Sequence, residues 1–344
     1  MKHLHRTTAR LVFSCLALIV ALSTLHTAKA QQPANTPAPP SSQSHETPDS
    51  VMLTVTVTDK RHLYIAGLEK SHFTVLDNKT PLEITHFSAE DEPVSIGIIL
   101  DASQSMAGRG NMRRLSNEVA EFIRQSNGEN EYFLIAFNER PQLLVDWTRG
   151  GQAILDRIES IEPKRDTAFY DACYLGVEKV KQGKHRKRAL LIIGDGEDNH
   201  SRYGFQESRK LLKESDVLLY SVILSGNNDP ASTLGLEGFS ILGELSQISG
   251  GLAYHPNSNA ELTEVFERFA LELHNQYRLG FKLADGARDG KWHQLKVKVK
   301  APPSCPASRC AHARASSPPG TSADSKHLDL MSTAARASRL SRGA

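Results

Sequence analysis

Apolar side chains fall along this chain in two rhythms. Residues 51–59 alternate apolar and polar, with Val51, Leu53, Val55 and Val57 on one face, and residues 73–77 and 82–87 follow as short strands across turn signals at Asp77-Asn78 and Thr80-Pro81. Residues 277–283 and 293–300 repeat the alternation around the turn-like segment 284–290, which predicts a hairpin with one face in water. In between, residues 94–100 (V-S-I-G-I-I-L), 132–137, 189–193 (A-L-L-I-I) and 217–223 are near-continuous apolar runs. That is the pattern of strands buried on both faces of a mostly parallel sheet. Helical patterns separate them at residues 112–125, 152–161, 169–181, 205–214, 236–248 and 260–276; in the last, Leu262, Val265, Phe266, Phe269 and Leu273 share a face. The alternation predicts an α/β domain over residues 93–276, with a doubly wound, mostly parallel sheet flanked by helices. The strands of 51–92 and the hairpin of 277–300 are each too few to stand alone, and are predicted to pair into a smaller flanking β domain.

The two ends lack these rhythms. Residues 1–30 carry Lys2, Arg6 and Arg10, an apolar run over 11–22 and Ala28-Lys29-Ala30, the layout of a secretory signal peptide with an A-x-A cleavage site. The apolar run falls short of the roughly 20 residues a spanning helix needs, so no integral membrane segment is expected after cleavage. Export, to a periplasm or to the medium, follows. Residues 31–50, rich in Pro, Ser, Thr and Gln, read as a flexible linker, and residues 301–344, rich in Ala, Ser, Arg and Pro, as a disordered tail. Of the four cysteines, Cys15 lies in the signal peptide, Cys173 stands alone in a helical pattern, and Cys305 and Cys310 form no zinc or disulfide framework with the others.

Charge looks different once the ends are set aside. The whole chain has 41 Lys and Arg against 39 Asp and Glu, a net of +2. Removing the four basic residues of 1–30, and the six basic and two acidic residues of 301–344, leaves 31 basic and 37 acidic groups on residues 31–300. The body is acidic at −6, which argues against a nucleic-acid partner. The basic run at 181–188 reads by default as a solvated loop.

Ligands of such sheets bind outside the carboxyl ends of the strands. Directly after the run 94–100 comes Asp101-Ala102-Ser103-Gln104-Ser105, and after 189–193 comes Gly194-Asp195-Gly196-Glu197-Asp198. Arg165-Asp166-Thr167-Ala168 opens the helix near Phe169. Asp101, Ser103, Ser105, Thr167 and Asp195 supply hard oxygen ligands of the kind Mg²⁺ takes, with Mn²⁺ or Ca²⁺ as alternatives, and the lack of His or Cys there argues against zinc or copper. Asp166, Glu197 and Asp198 are candidates for the rim of the site. Enzyme readings fare poorly: there is no G-x-S-x-G, no P-loop and no H-E-x-x-H, and an aspartyl-nucleophile phosphatase would need a second Asp where Ser103 stands.

The order D-x-S-x-S, a distant threonine at a helix start, and D-G-E-D resembles the metal-ion-dependent adhesion site of a von Willebrand factor A-type domain. The flanking segments V-T-V-T-D-K, G-L-E-K-S-H-F-T-V-L-D-N-K, Q-Y-R-L-G-F and D-G-K-W-H-Q-L-K-V-K-V-K resemble a bacterial exported subfamily called VWFA-related. The resemblance implies a non-enzymatic module for binding or adhesion, whose metal takes up an acidic group of a protein partner. Two other readings are a structural envelope scaffold, with a metal that locks loops, and a metal-dependent hydrolase. In that subfamily the final strand leads into a segment like L-T-V-R-A-R-x-G-Y-F, and this chain departs from the pattern. The codons of residues 306–320, read from the third base of each, can encode x-L-T-V-R-A-R-A-G-F-F-A-P, so the tail is expected to be translated from a shifted frame beginning near 302–306.

Overall fold

Why the buried runs become strands is visible in their register. The computed structural model describes residues 50–59, 61–77, 79–107, 112–164, 166–224, 233–282, 295–300 and 312–315. The elements of the first half are β1 (Ser50–Thr58), β2 (Phe73–Asp77), β3 (Thr80–Leu82), β4 (Ile84–Ser88), β5 (Val94–Asp101), α1 (Met112–Gln125), β6 (Glu131–Phe137), β7 (Pro141–Thr148), α2 (Gln152–Glu159) and α3 (Phe169–Val180). Then follow β8 (Lys187–Gly194), α4 (Phe205–Lys213), β9 (Leu218–Ile223), α5 (Thr233–Ser249), β10 (Ala253–Tyr254), α6 (Asn259–His274), β11 (Gln276–Lys282), β12 (Leu295–Val299) and β13 (His312–Ala315).

Six strands form the central sheet in the order β10-β9-β8-β5-β6-β7. All its pairings are parallel except that of β7, which runs antiparallel to β6 at one edge. β5 is flanked on both sides, with Ile98 opposite Leu134 and Leu191. Its even-numbered residues Val94, Ile96, Ile98 and Leu100 pack with Leu115, Val119 and Phe122 of α1, Ile154 and Ile158 of α2 and the apolar face of α6. Ile99 faces the opposite layer, with Ala172, Cys173 and Val177 of α3, Leu212 of α4 and Leu242 and Leu245 of α5. Both faces are therefore dry, as the continuous apolar runs require. Cys173 is buried there as a small apolar side chain, and burial pushes its thiol pKa up.

The remaining strands make two small sheets, β13-β1-β11-β4 and β12-β2-β3, which enclose Leu53, Val55, Val57, Phe73, Val75, Ile84, Tyr277, Leu279, Phe281, Leu295 and Val297. The hairpin expected over 277–300 does not form: β11 pairs with β1 and β4, whereas β12 pairs with β2 in the other sheet. Alternation marks a strand but not its partner. Nor does β11 turn a face to water. Its second face meets the α/β layer, where the Gln276 side chain donates to the Tyr220 hydroxyl (2.9 Å) and Arg278 pairs with Glu92 (2.6 Å). Glu272 of α6 completes that seam, accepting from Tyr220 (3.0 Å), Thr56 (3.3 Å) and Tyr64 (3.3 Å).

Two further expectations change. His312–Ala315, in the tail read as disordered, lies antiparallel to Val55–Thr58 of β1; an unpaired strand edge offers backbone partners that composition does not report. The basic run 181–188 is not simply a solvated loop: Lys187 is buried, its Nζ donating to the Leu273 carbonyl, and Glu131 accepts the Lys184 amide (2.6 Å). The signal peptide, most of the linker, Cys15, Cys305 and Cys310 lie outside the described residues. Among the described residues no helix is long and apolar enough to cross a membrane.

Candidate metal centre

Because β5 and β8 are parallel neighbours in register, their carboxyl ends bring Asp101 and the Gly194-Asp195 turn side by side. The approach is close: a Cβ on Gly194 would lie 2.8 Å from Asp101 Cβ and 3.1 Å from its Oδ2. On leaving β5 the chain folds back on its own carboxylate, for Asp101 Oδ1 accepts the Ser103 amide (2.7 Å). A single 3₁₀ turn over Gln104–Met106 then sets the Ser105 hydroxyl 2.9 Å from that of Ser103. After β8, Asp195 Oδ1 accepts the Glu197 amide (3.1 Å), and Gly196 takes φ +78°, open to glycine at little cost. α5 presses on this turn through Gly238, where a Cβ would lie 2.2 Å from the Asp195 carbonyl oxygen.

Thr167 is buried at the entry to α3, in a loop tied to its neighbours by backbone and side-chain bonds. Its amide donates to Asn199 Oδ1 (2.9 Å), and its carbonyl accepts the amides of Asn199 and His200 (both 3.0 Å). On its other side Ala168 donates to the Asn138 carbonyl (2.7 Å), Lys164 to that of Ala102 (2.9 Å) and Ala102 to that of Phe137 (2.8 Å). Asp101, Ser103, Ser105 and Asp195 are thus joined by contact and charge, and Thr167 stands in the adjoining loop bonded to the chain just beyond Asp195.

The rim candidates separate. Asp198 Oδ1 accepts the Phe169 amide (2.8 Å) and the Ser201 hydroxyl, so this carboxylate caps α3 and favours the helix dipole. Asp166 is exposed, 3.8 Å from His200 Nδ1. Glu197 is half-buried, and its charge adds to the field on Asp101. Sequence reasoning missed Asn199 as the residue that fixes Thr167, and Ser201 as the one that joins Asp198 to the first turn of α3 by accepting the Asp171 amide (3.1 Å); the run D-N-x-S that begins three residues after Asp195 is the turn-forming signal that marks them.

Two buried carboxylates side by side favour a nearby positive charge. Burial, and then the negative charge of Asp195, push the Asp101 carboxyl up from 3.8 to about 7. Oδ2 of Asp101 and Oδ2 of Asp195 are both buried with no hydrogen-bond partner, although buried polar atoms are as a rule satisfied. Two orphaned carboxylate oxygens beside a pair of hydroxyls suit a hard divalent ion. Among the described residues there is no group of three or more His, Cys, Asp or Glu that could hold a metal ion, so a cation at these strand ends would rest on two carboxylates and on neutral hydroxyls.

Residues 96–197 match the family model of the von Willebrand factor type A domain. The chain carries a von Willebrand factor type A domain. Solved structures similar to it include the conserved hypothetical protein BatB from Bacteroides thetaiotaomicron, at 16% identity over 52% of this chain and 98% of that one, with a TM-score of 0.42. A von Willebrand factor type A protein from Catenulispora acidiphila matches at 14% identity over 67% of this chain and 51% of that one, with a TM-score of 0.45. The vWF domain of the type V pili tip protein Mfa5 from Porphyromonas gingivalis matches at 10% identity over 54% and 95%, with a TM-score of 0.41. No curated protein matches the chain significantly. In the A-type domain of this chain, the model match spans β5 to the β8 loop and so includes all five candidate ligands.

Proposed function

We propose that this A-type domain is an exported, metal-dependent protein-binding module: Asp101, Ser103, Ser105, Thr167 and Asp195 hold Mg²⁺, and a carboxylate of a partner protein is captured there. The observation that carries the reading is the pair of buried, unpartnered oxygens, Oδ2 of Asp101 and Oδ2 of Asp195. A bound divalent ion supplies the positive charge that both oxygens and an incoming carboxylate need. With three neutral hydroxyls in the set, the two carboxylates balance the ion's charge without exceeding it, so an incoming carboxylate meets less repulsion than it would at a cage of three or more acids. The residues themselves provide position: the Ser103 amide fixes Asp101, the Glu197 amide fixes Asp195, and Asn199 fixes Thr167. No covalent chemistry is assigned: the A-type domain's cysteine is buried with its thiol pKa raised, and among the described residues no nucleophile is paired with a base at the strand ends. The layout of residues 1–30 supports export.

Capture of envelope proteins on immobilised wild-type protein and on Asp101→Ala, each with Mg²⁺ and with EDTA, tests this. A species retained only by the wild type in Mg²⁺ is expected. Retention that ignores both the chelator and the substitution refutes metal-mediated capture and leaves the A-type domain a scaffold.

A further inference from the structure

A cleft of about 670 Å³, within the size range of small-molecule sites, lies between the β6–β7 turn, the outer face of α3 and the loop after β8. One of its walls is aromatic and built in advance. Tyr203 stacks on Tyr174 with ring centroids 4.2 Å apart and planes at 8°, and its amide is fixed on Asp171 Oδ1 (3.1 Å). The stack covers one face of Tyr203, yet the residue is still 39% exposed. A ring held from behind in this way loses little further freedom when a ligand lies against it.

The charges around that wall are of both signs. Glu139, Asp171 and Glu178 line the cleft together with Arg140 and Arg202, on a body of net charge −6, so an anion meets no net attraction there. A cation gains little either, because the acids are engaged: Glu178 pairs with Lys181 (2.7 Å), Glu139 has its own partner, and Asp171 Oδ1 accepts the amides of Arg202 (2.9 Å) and Tyr203. A wholly apolar ligand would strip water from these charged groups and return no hydrogen bond. What the lining offers is donors and acceptors around a fixed aromatic face. A neutral pyranose ring matches both features. Its hydroxyls each donate and accept, and its apolar C–H face, weakly positive, suits the negative face of a tyrosine ring.

We propose that this cleft binds a neutral saccharide, with one pyranose ring against Tyr203 and the ring hydroxyls taken by the charged side chains of the surrounding walls. The site needs no metal and stands or falls apart from the metal-dependent reading above.

The test titrates the full chain, in EDTA and again in Mg²⁺, with the neutral trisaccharides cellotriose, maltotriose, mannotriose and N-acetylchitotriose, and with trigalacturonate as the anionic control, read by saturation-transfer NMR. At least one neutral trisaccharide should bind saturably, equally well in both buffers and more tightly than trigalacturonate. Tyr203→Ala should weaken that binding about tenfold, since an aromatic contact is worth up to that much, while Tyr203→Phe keeps it within about twofold. Both variants should retain the wild-type melting temperature and Mg²⁺ uptake. The inference is overturned if no neutral trisaccharide saturates the protein, or if Tyr203→Ala binds as well as the wild type. Tighter binding of trigalacturonate would overturn it in favour of an anion site. Saccharide binding that disappears in EDTA would place the ligand at the strand-end loops and overturn the assignment to the cleft.

Discussion

Replacing Asp101 by Asn should make the metal-free protein more stable, although it removes a central residue of the site. Asn keeps the shape of the side chain and an Oδ1 to accept the Ser103 amide, but brings no charge next to Asp195. In the fold the Asp101 carboxyl is raised from 3.8 to about 7, so between those values the folded protein holds a proton that the unfolded chain has lost. Its stability contribution is therefore complete below about pH 4 and is lost as pH rises through 7. At 1.36 kcal/mol per unit, the cost of the ionised group at pH 8 has a ceiling of about 4 kcal/mol. Urea unfolding of wild type and Asp101→Asn in EDTA should show the variant ahead at pH 8, by about 2 kcal/mol or more, and the gap should close by pH 4. Addition of Mg²⁺ at about 100 times its Kd should then return about 2.7 kcal/mol to the wild type and nothing to the variant. A variant less stable than the wild type in EDTA at pH 8, or one that responds equally to Mg²⁺, would refute this electrostatic picture.

Two other substitutions probe how the strand-end loops are held. Gly238→Ala in α5 would normally gain about 1 kcal/mol of helix propensity; with its Cβ 2.2 Å from the Asp195 carbonyl oxygen, it should instead destabilise by about 1–3 kcal/mol in thermal melts and weaken Mg²⁺ binding. Asp198→Ala removes the cap of α3, at a cost of about 1 kcal/mol by urea unfolding, and should loosen the Thr167 loop enough to raise its amide hydrogen exchange.

The central domain was legible because its strands are buried on both faces, which leaves runs such as 94–100 and 189–193 almost wholly apolar, with Ser95 the one polar side chain between them. α1 matches its expected span, Met112–Gln125, and the other helix ends shift by a few residues, as fraying turns do. β7 was missed because it is a half-exposed edge strand opening on proline and without a clean period of two. The fate of β11 and β12 was hidden for a different reason: partner choice depends on contacts more than 200 residues away in sequence, as in the pairing of Ser50 with Lys282. In the site, Asp101 and Asp195 could be read from their place after buried strands. Their unpartnered oxygens and the capping duty of Asp198 could not, since both depend on which loop faces which.

Isothermal titration of Mg²⁺ into metal-free wild type and into Asp195→Ala at pH 8 addresses the central claim most directly. Saturable binding of a single ion by the wild type, absent from the variant, is the predicted result. A wild type that takes up no divalent ion, or a variant that binds it equally well, would contradict the assignment of the strand-end loops of β5 and β8 as a metal site.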